Sequence, residues 1–377
     1  MRRARVRQVD DMPGIAAVGL HIPRYVITAE EFRRVLGTQA APGIDETSVA
    51  GFDEDAVTMG VAAGQRALDA ADVSHADRLS FVTSGEPADA RIVAGALAVD
   101  PKNAEGIPDD PPAAGRAVEH AFEEAASVRT SALIVAAHVP HASLSSTDEH
   151  AQGAAAVALL VTPDGSMSWA VGRGPSPLRR RAGDLGITSD FLSFVESKDP
   201  SYGIGPTELT RALDARVPVP FDTYLALRRT KPPPAGTEFS QGAYVSLPAY
   251  LGEAKARYRL VGEACAKCGR LHFPPRESCL ACGARAWKER PLKRTGAVYA
   301  YTIIGKGAAP SEFLEQQLAT GDYATAVVEL DDGLRITAML ADVEPASVKI
   351  GMRVRMVFRR LFAQEGVVRY GFKFAQQ

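Results

Sequence analysis

The chain has 377 residues, of which 46% are hydrophobic and 23% charged, and its net charge at pH 7 is -2. That length admits two or three domains, each with a core of its own, in the composition range of an ordinary soluble globular protein. The near-neutral balance argues against a protein whose main task is gripping nucleic-acid backbone, and no run of about 18 apolar residues exists to span a bilayer. The first seven residues are basic, but Asp10, Asp11 and Pro13 follow without an apolar segment. No secretory signal is read there, and a cytoplasmic location is expected.

From the N-terminus, β and α signals alternate. Residues 15–20 form a short apolar run that predicts a buried strand, ended by a turn at Pro23. Residues 55–71 predict a helix in which Val57, Val61 and Leu68 share a face with small residues that allow close packing. Next come a strand at 79–83, helices at 90–98 and 113–125, a continuously apolar strand at 130–137 and a further strand at 154–161. Residues 168–171 predict one more strand. The succession implies a layered α/β domain.

Between about 172 and 246 the pattern breaks down under repeated prolines, including Pro232, Pro233 and Pro234, and extended conformation is expected. A helical segment at about 247–257 leads into the cysteines. Beyond them, strands are predicted at 297–304, 323–330, 334–340, 353–358 and 367–374. Asp331-Asp332-Gly333 supplies a hairpin turn. Five such strands suit a small closed barrel.

All four cysteines fall in two C-x-x-C-G knuckles, Cys265-Ala266-Lys267-Cys268-Gly269 and Cys279-Leu280-Ala281-Cys282-Gly283. Four thiolates complete a tetrahedral zinc shell, and the glycine after each pair lets the backbone turn beneath the sulfurs. Four filled positions make the zinc structural. Four reduced cysteines or a thioredoxin-type redox pair is the competing reading, but it lacks the surrounding βαβ pattern and has two pairs to explain. Around the knuckles lie Lys267, Arg270, Arg276, Arg285, Lys288, Arg290, Lys293 and Arg294. They read either as an anion-binding face, for nucleic acid or for the phosphates of coenzyme A, or as solvated surface.

The ribbon, with Tyr323-Ala324-Thr325-Ala326-Val327-Val328-Glu329-Leu330 and Ile350-Gly351-Met352-Arg353-Val354 behind it, resembles the DUF35 family of rubredoxin-like zinc ribbon plus OB-fold proteins over residues 240–377. That likeness implies partnership with thiolase-superfamily proteins. The first part resembles the N-terminal half of a hydroxymethylglutaryl-CoA synthase or related thiolase-fold protein. Asp53-Glu54-Asp55-Ala56-Val57-Thr58-Met59-Gly60 is similar to the opening of an early helix there, and Glu149-His150-Ala151-Gln152-Gly153-Ala154 to the entry into a core strand.

This second resemblance also implies what is lacking. Where the synthases carry a nucleophilic cysteine, the chain reads Asp109-Asp110-Pro111-Pro112-Ala113, and near the family's acid/base glutamate it has Ser84-Gly85-Glu86. The half of the fold that carries the catalytic histidine is replaced by the ribbon and barrel. His138 and His141 are the remaining candidates for chemistry, against a structural role.

The expected fold is therefore a truncated thiolase-like layered α/β domain at 1–225, a Pro-rich linker and helix at 226–258, a zinc ribbon at 259–292 and a five-stranded OB-type barrel at 293–377. No catalytic residue is assigned. Zinc is expected on Cys265, Cys268, Cys279 and Cys282, and Arg270 and Arg276 are the candidates for coenzyme A. The implied function is a non-catalytic subunit that joins a full-length thiolase-like partner in a hetero-oligomer and helps seat an acyl-CoA for Claisen-type chemistry. An OB-fold nucleic-acid binder, stacking bases on Tyr299, Tyr301, Phe358, Phe362 or Tyr370, is the alternative.

Overall fold

The computed structural model describes residues 13–37, 41–108, 113–146, 148–166, 181, 206–230, 250, 252–364 and 366–377. It forms two compact units, Met1–Tyr224 and Leu225–Gln377.

In the first unit, β1 (Gly14–His21) and β2 (Tyr25–Thr28) lead into α1 (Ala29–Leu36), which is followed by β3 (Glu46–Val49) and α2 (Ala56–Ala70). Then come β4 (Arg78–Thr83), α3 (Ala90–Ala96), β5 (Ala104–Pro108), α4 (Ala113–Ser127), β6 (Ala132–His138) and β7 (Ala155–Thr162). The main sheet runs β1-β7-β6-β4-β5. β4 is parallel to β5 and β6, whereas β7 is antiparallel to β1 and β6. β6 and most of β7 are buried on both faces, which is why they read as unbroken apolar runs.

α2 starts at a capping box, in which the Asp55 carboxylate accepts from Thr58 N at 2.9 Å and the Thr58 hydroxyl accepts from Asp55 N at 2.8 Å. Its small residues let it lie close on the sheet. A Cβ on Gly60 would meet the Phe81 ring at 2.9 Å, and one on Gly19 of β1 would lie 1.9 Å from the Ala63 carbonyl oxygen. α4 packs on the other core, with Val118, Ala121 and Ala125 among Ile134, Ala136 and Val157.

The Pro-rich stretch departs from the extended expectation. α5 (Pro206–Asp214), β8 (Val217–Pro218) and α6 (Phe221–Leu227) lie inside it. Pro206 opens one helix and Pro220 immediately precedes the next, positions where the missing N–H and fixed φ of proline favour a helix start. β8 adds to β2 in a second sheet, β3-β2-β8. Arg216, fully covered, donates to Glu46 at 2.5 Å and to the Ser48 hydroxyl at 2.9 Å, tying this return of the chain to β3. The strand predicted at 168–171 lies outside the described residues.

In the second unit, α7 (Ala254–Arg259) occupies the end of the predicted 247–257 helix, of which residues 247–249 and 251 are not described. β9 (Val261–Cys265), β10 (Leu271–His272) and β11 (Trp287–Pro291) form a three-stranded sheet in the order β10-β9-β11. β12 (Thr295–Ile304), α8 (Leu314–Thr320), β13 (Tyr323–Leu330), β14 (Arg335–Ala341), β15 (Arg353–Gln364) and β16 (Val367–Gln376) follow. The strands close a barrel in the order β12-β13-β14-β16-β15 around Val298, Ala326, Val328, Leu340, Val354 and Phe374. Gly333, at φ 85°, makes the predicted hairpin turn, and Arg353 holds the Asp331 carboxylate beside it at 2.8 and 2.9 Å. β15 runs six residues past its predicted end at 358. Arg359, just past that end, is buried and paired with Asp342 at 2.7 Å, so the strand carries a charge inside.

Candidate metal centre

The first knuckle is the end of β9 folded back on itself. Cys265 N donates to the Arg270 carbonyl and Gly269 N to the Cys265 carbonyl, both at 2.9 Å. The second knuckle repeats this, with Cys279 N on the Ala284 carbonyl at 2.8 Å and Gly283 N on the Cys279 carbonyl at 2.9 Å. Gly269 and Gly283 stand at φ 76° and 69°, in the left-handed region where a Cβ is strained. The paired C-x-x-C-G spelling is the sequence form of that turn.

The turns bring four free thiols together. Cys265 and Cys282 Sγ are 3.6 Å apart, as are Cys268 and Cys279 Sγ, and all four sulfurs lie within 4.8 Å of one another. Sulfurs about 2.3 Å from a tetrahedral zinc are separated by about 3.8 Å, so the donor set fits a closed tetrathiolate site. Backbone N–H groups also converge on the sulfurs. The N–H of Cys268, joined by that of Lys267, outweighs burial and lowers the Cys265 thiol to about 6. Burial works to raise Cys279, but the N–H groups of Ala281 and Cys282 prevail and its shift is downward. Cys268 moves the other way: the N–H of Arg270 works to lower it, but the thiols of Cys282, Cys279 and Cys265 together with burial prevail and push it up to about 11. Metal ligation demands loss of the thiol proton, which two of the ligands give up readily and Cys268 does not.

One neighbour escaped the sequence reading. The buried His272 places Nε2 3.4 Å from Cys279 Sγ, its ring edge-on to Trp287 at a centroid distance of 5.1 Å. Its only signal was a histidine between two knuckles, which carries little information without the β9–β10 pairing of His272 with Glu263.

Arg270 and Arg276 are exposed, as are Lys267, Arg285, Lys288 and Arg290. Neither arginine side chain has an ion-pair partner among the described residues, and Arg276 is tied only through its backbone N to Glu263 at 3.2 Å. Nearby Glu289 is engaged by Lys255 at 2.7 Å. The patch thus keeps its positive charge facing solvent.

In the first unit, the Ser84 hydroxyl donates to the Val139 carbonyl at 3.1 Å and accepts from Val139 N at 3.0 Å, joining the loops after β4 and β6. Glu86 on one loop and His141 on the other are exposed, while His138 is buried at the end of β6. Residues 109–112, where the synthase nucleophile would fall, lie outside the described residues. No cysteine of this chain lies outside the ribbon.

Two domain models match the second unit: the rubredoxin-like zinc ribbon domain of ChsH2 over residues 253–288 and the C-terminal OB-fold domain of ChsH2 over 289–359. A DUF35 domain-containing scaffold protein of Methanocaldococcus jannaschii is 40% identical over 123 residues, which are 32% of this chain and 83% of that protein. The chain belongs to the DUF35 family. A hydroxymethylglutaryl-CoA synthase of Thermococcus onnurineus is also similar to this DUF35 protein, 44% identical over 66 residues, or 18% of each chain. A solved Ltp2-ChsH2(DUF35) aldolase aligns with 36% of this chain and 98% of its own at 29% identity and a TM-score of 0.29. The fold class read from the sequence holds: a layered α/β domain in a chain with hydroxymethylglutaryl-CoA synthase relatives, a zinc ribbon and a five-stranded OB barrel. Among the described residues no helix is long and apolar enough to cross a membrane.

Proposed function

We propose that this DUF35 protein is a non-catalytic scaffold subunit of a thiolase-type acyl-CoA acyltransferase assembly. One observation carries the reading: a ribbon and barrel of the scaffold family share a chain with similarity to hydroxymethylglutaryl-CoA synthase, while every cysteine lies in the ribbon. Acyl transfer through an enzyme thioester needs a thiolate with a base in reach. With Cys265, Cys268, Cys279 and Cys282 holding zinc, that thiolate belongs to a full-length thiolase-like partner. Zinc, when bound, supplies folding free energy and no open coordination position.

The working boundaries are the α/β domain to 225, the ribbon at 259–292 and the barrel from 293. Arg270 and Arg276 offer guanidinium groups to the phosphates of coenzyme A, and the assembly serves Claisen-type carbon–carbon bond formation or cleavage. The test is to isolate the native complex, trap the intermediate with labelled acyl-CoA and locate the label by peptide mass. The thioester is expected on a cysteine of the partner. Label on this chain, or turnover by this chain alone, overturns the proposal and turns attention to His138, His141 and Glu86.

A further inference from the structure

The barrel is closed between β12 and β15 by a short seam. β12 pairs with β13 from Gly296 to Ile304, but with β15 only at Thr295, Gly296 and Ala297. Val298 extends the seam, donating from N to the Met352 carbonyl at 3.0 Å and accepting from Gly351 N at 2.8 Å. The register of β12 then shifts between Val298 and Ala300, a bulge of the kind that bends a strand, and the pairing with β15 stops there. Residues 300–303 keep β13 on one edge and make no backbone hydrogen bond on the other. Every second residue of an antiparallel strand turns its N–H and C=O away from its neighbour, so this stretch offers unpaired backbone groups to solvent. The opening ends at Ile304, whose carbonyl accepts from Gln317 Nε2 at 3.3 Å.

The side chains show the same unfinished edge. Tyr301 and Ile303 are the cross-strand partners of Ala326 and Ala324, which belong to the barrel core, so they stand on the core side of the sheet. They are nevertheless 41% and 43% exposed. Thr302 between them is exposed on the opposite face. From Thr295 to Gly305 the chain has no charge and no proline, the features by which exposed edges refuse a partner.

We propose that a second copy of this chain fills the edge, β12 pairing antiparallel with its counterpart about a two-fold axis at Thr302. The segment Ala300-Tyr301-Thr302-Ile303-Ile304 is its own complement in that register. Tyr301 of each copy stands opposite Ile303 of the other, Thr302 meets Thr302, and Ala300 meets Ile304. Aromatic with β-branched and threonine with threonine are among the favoured cross-strand pairs. Lys306, the first charge beyond the stretch, falls opposite Val298, so no like charges face each other. A second copy supplies the unlike pairs twice by symmetry, which an unrelated strand does not. So short a ladder buries well under about 1,200 Å², the size of weak and reversible contacts, and a dissociation constant of about 10 μM is expected. The pairing is independent of the acyl-CoA reading above.

Full-length, zinc-loaded protein is followed by sedimentation velocity from about 1 to about 200 μM. A monomer–dimer equilibrium is expected. Thr302→Lys sets like charges directly opposite each other at the axis and should weaken the dimer by about tenfold or more. Because Thr302 is exposed, the unfolding midpoint and zinc content should stay in place. Thr302→Glu should behave in the same way. An equimolar mixture of the two variants should recover the dimer, since opposite charges then meet at the axis. Thr302→Val keeps a β-branched side chain and should dimerise as the wild type does.

Protein that stays monomeric at about 200 μM overturns the proposal and leaves the edge to a strand of another protein. A dimer of equal affinity in wild type, Thr302→Lys and Thr302→Glu overturns it too, because the two copies then meet elsewhere. If both variants are monomeric and their mixture stays so, the two-fold register at Thr302 is wrong and the proposal falls with it.

Discussion

His272 and Cys279 meet at 3.4 Å in a spot closed to water, so a ring N–H directed at the sulfur stabilises the thiolate and fixes its direction. Partners of this kind shift metal affinity by about 10- to 100-fold when removed. His272→Ala should therefore loosen zinc by about tenfold in a chelator competition at pH 7, whereas Cys268→Ser should abolish stoichiometric zinc in metal analysis. Equal zinc affinity in His272→Ala and wild type would reduce the histidine to a packing residue. A different histidine governs the acid response of the first unit. His150 is buried against Phe32, its Nδ1 accepts from Ala41 N at 3.3 Å, and burial followed by the charge of Arg33 lowers its pKa to about 4. Between about 6.5 and 4 the unfolded chain takes up a proton that the folded site refuses. The stability it contributes is thus complete above about pH 6.5 and lost as pH falls toward 4, by on the order of 2 kcal/mol. His150→Phe should flatten that part of the urea-unfolding profile; an unchanged slope between pH 7.5 and 4.5 would refute the assignment.

At the scale of elements, the contact between α2 and β1 is set by the absence of a side chain. A methyl on Gly19 would sit 1.9 Å from the Ala63 carbonyl oxygen, so the helix must move off the sheet. Gly19→Ala should cost about 3 kcal/mol or more in chemical denaturation, at the upper end of overpacking effects. A change within about 0.5 kcal/mol would mean the helix is not seated as described. α2 was legible in the sequence because its periodicity and small residues agree. The barrel strands were legible as β-type runs set off by turn residues such as Asp331-Asp332-Gly333, and β13 alternates buried and half-buried residues over their shared core. Helices α5 and α6 were not, since proline weakens a helical pattern in the interior and favours one at the start, and a linear scan does not tell the two apart. The knuckles could be read from spacing alone, whereas His272 could not, because its place depends on strand register and the β9–β10 pairing is not written in any local run.

For the whole molecule, the prediction that separates the competing functions is one of ligand class. The exposed Tyr299 and Tyr301 give the barrel a surface on which bases could stack, but Arg335 already covers Tyr299 at 3.5 Å and the chain is net negative. Single-stranded DNA should not retain the protein at about 0.15 M salt, while immobilised coenzyme A should, and Arg270→Glu with Arg276→Glu should release it. DNA retention that falls steeply with added salt would reverse the assignment.

The two β-structures also differ in how they meet other chains. Where it closes, the barrel offers no free strand, but among the described residues the sheet of the first unit ends at β1 and β5, and of these β5 is the more exposed. An open strand is a template on which another polypeptide can extend a sheet. β5 is short and carries the exposed Glu105 as well as Pro108, which has no N–H to offer, two devices that discourage such growth. Glu105 is therefore expected to keep this edge from pairing with another chain. Glu105→Val should leave the unfolding midpoint within about 1 °C yet lower the temperature at which light scattering rises, and scattering identical to wild type would show that the edge is guarded by something else.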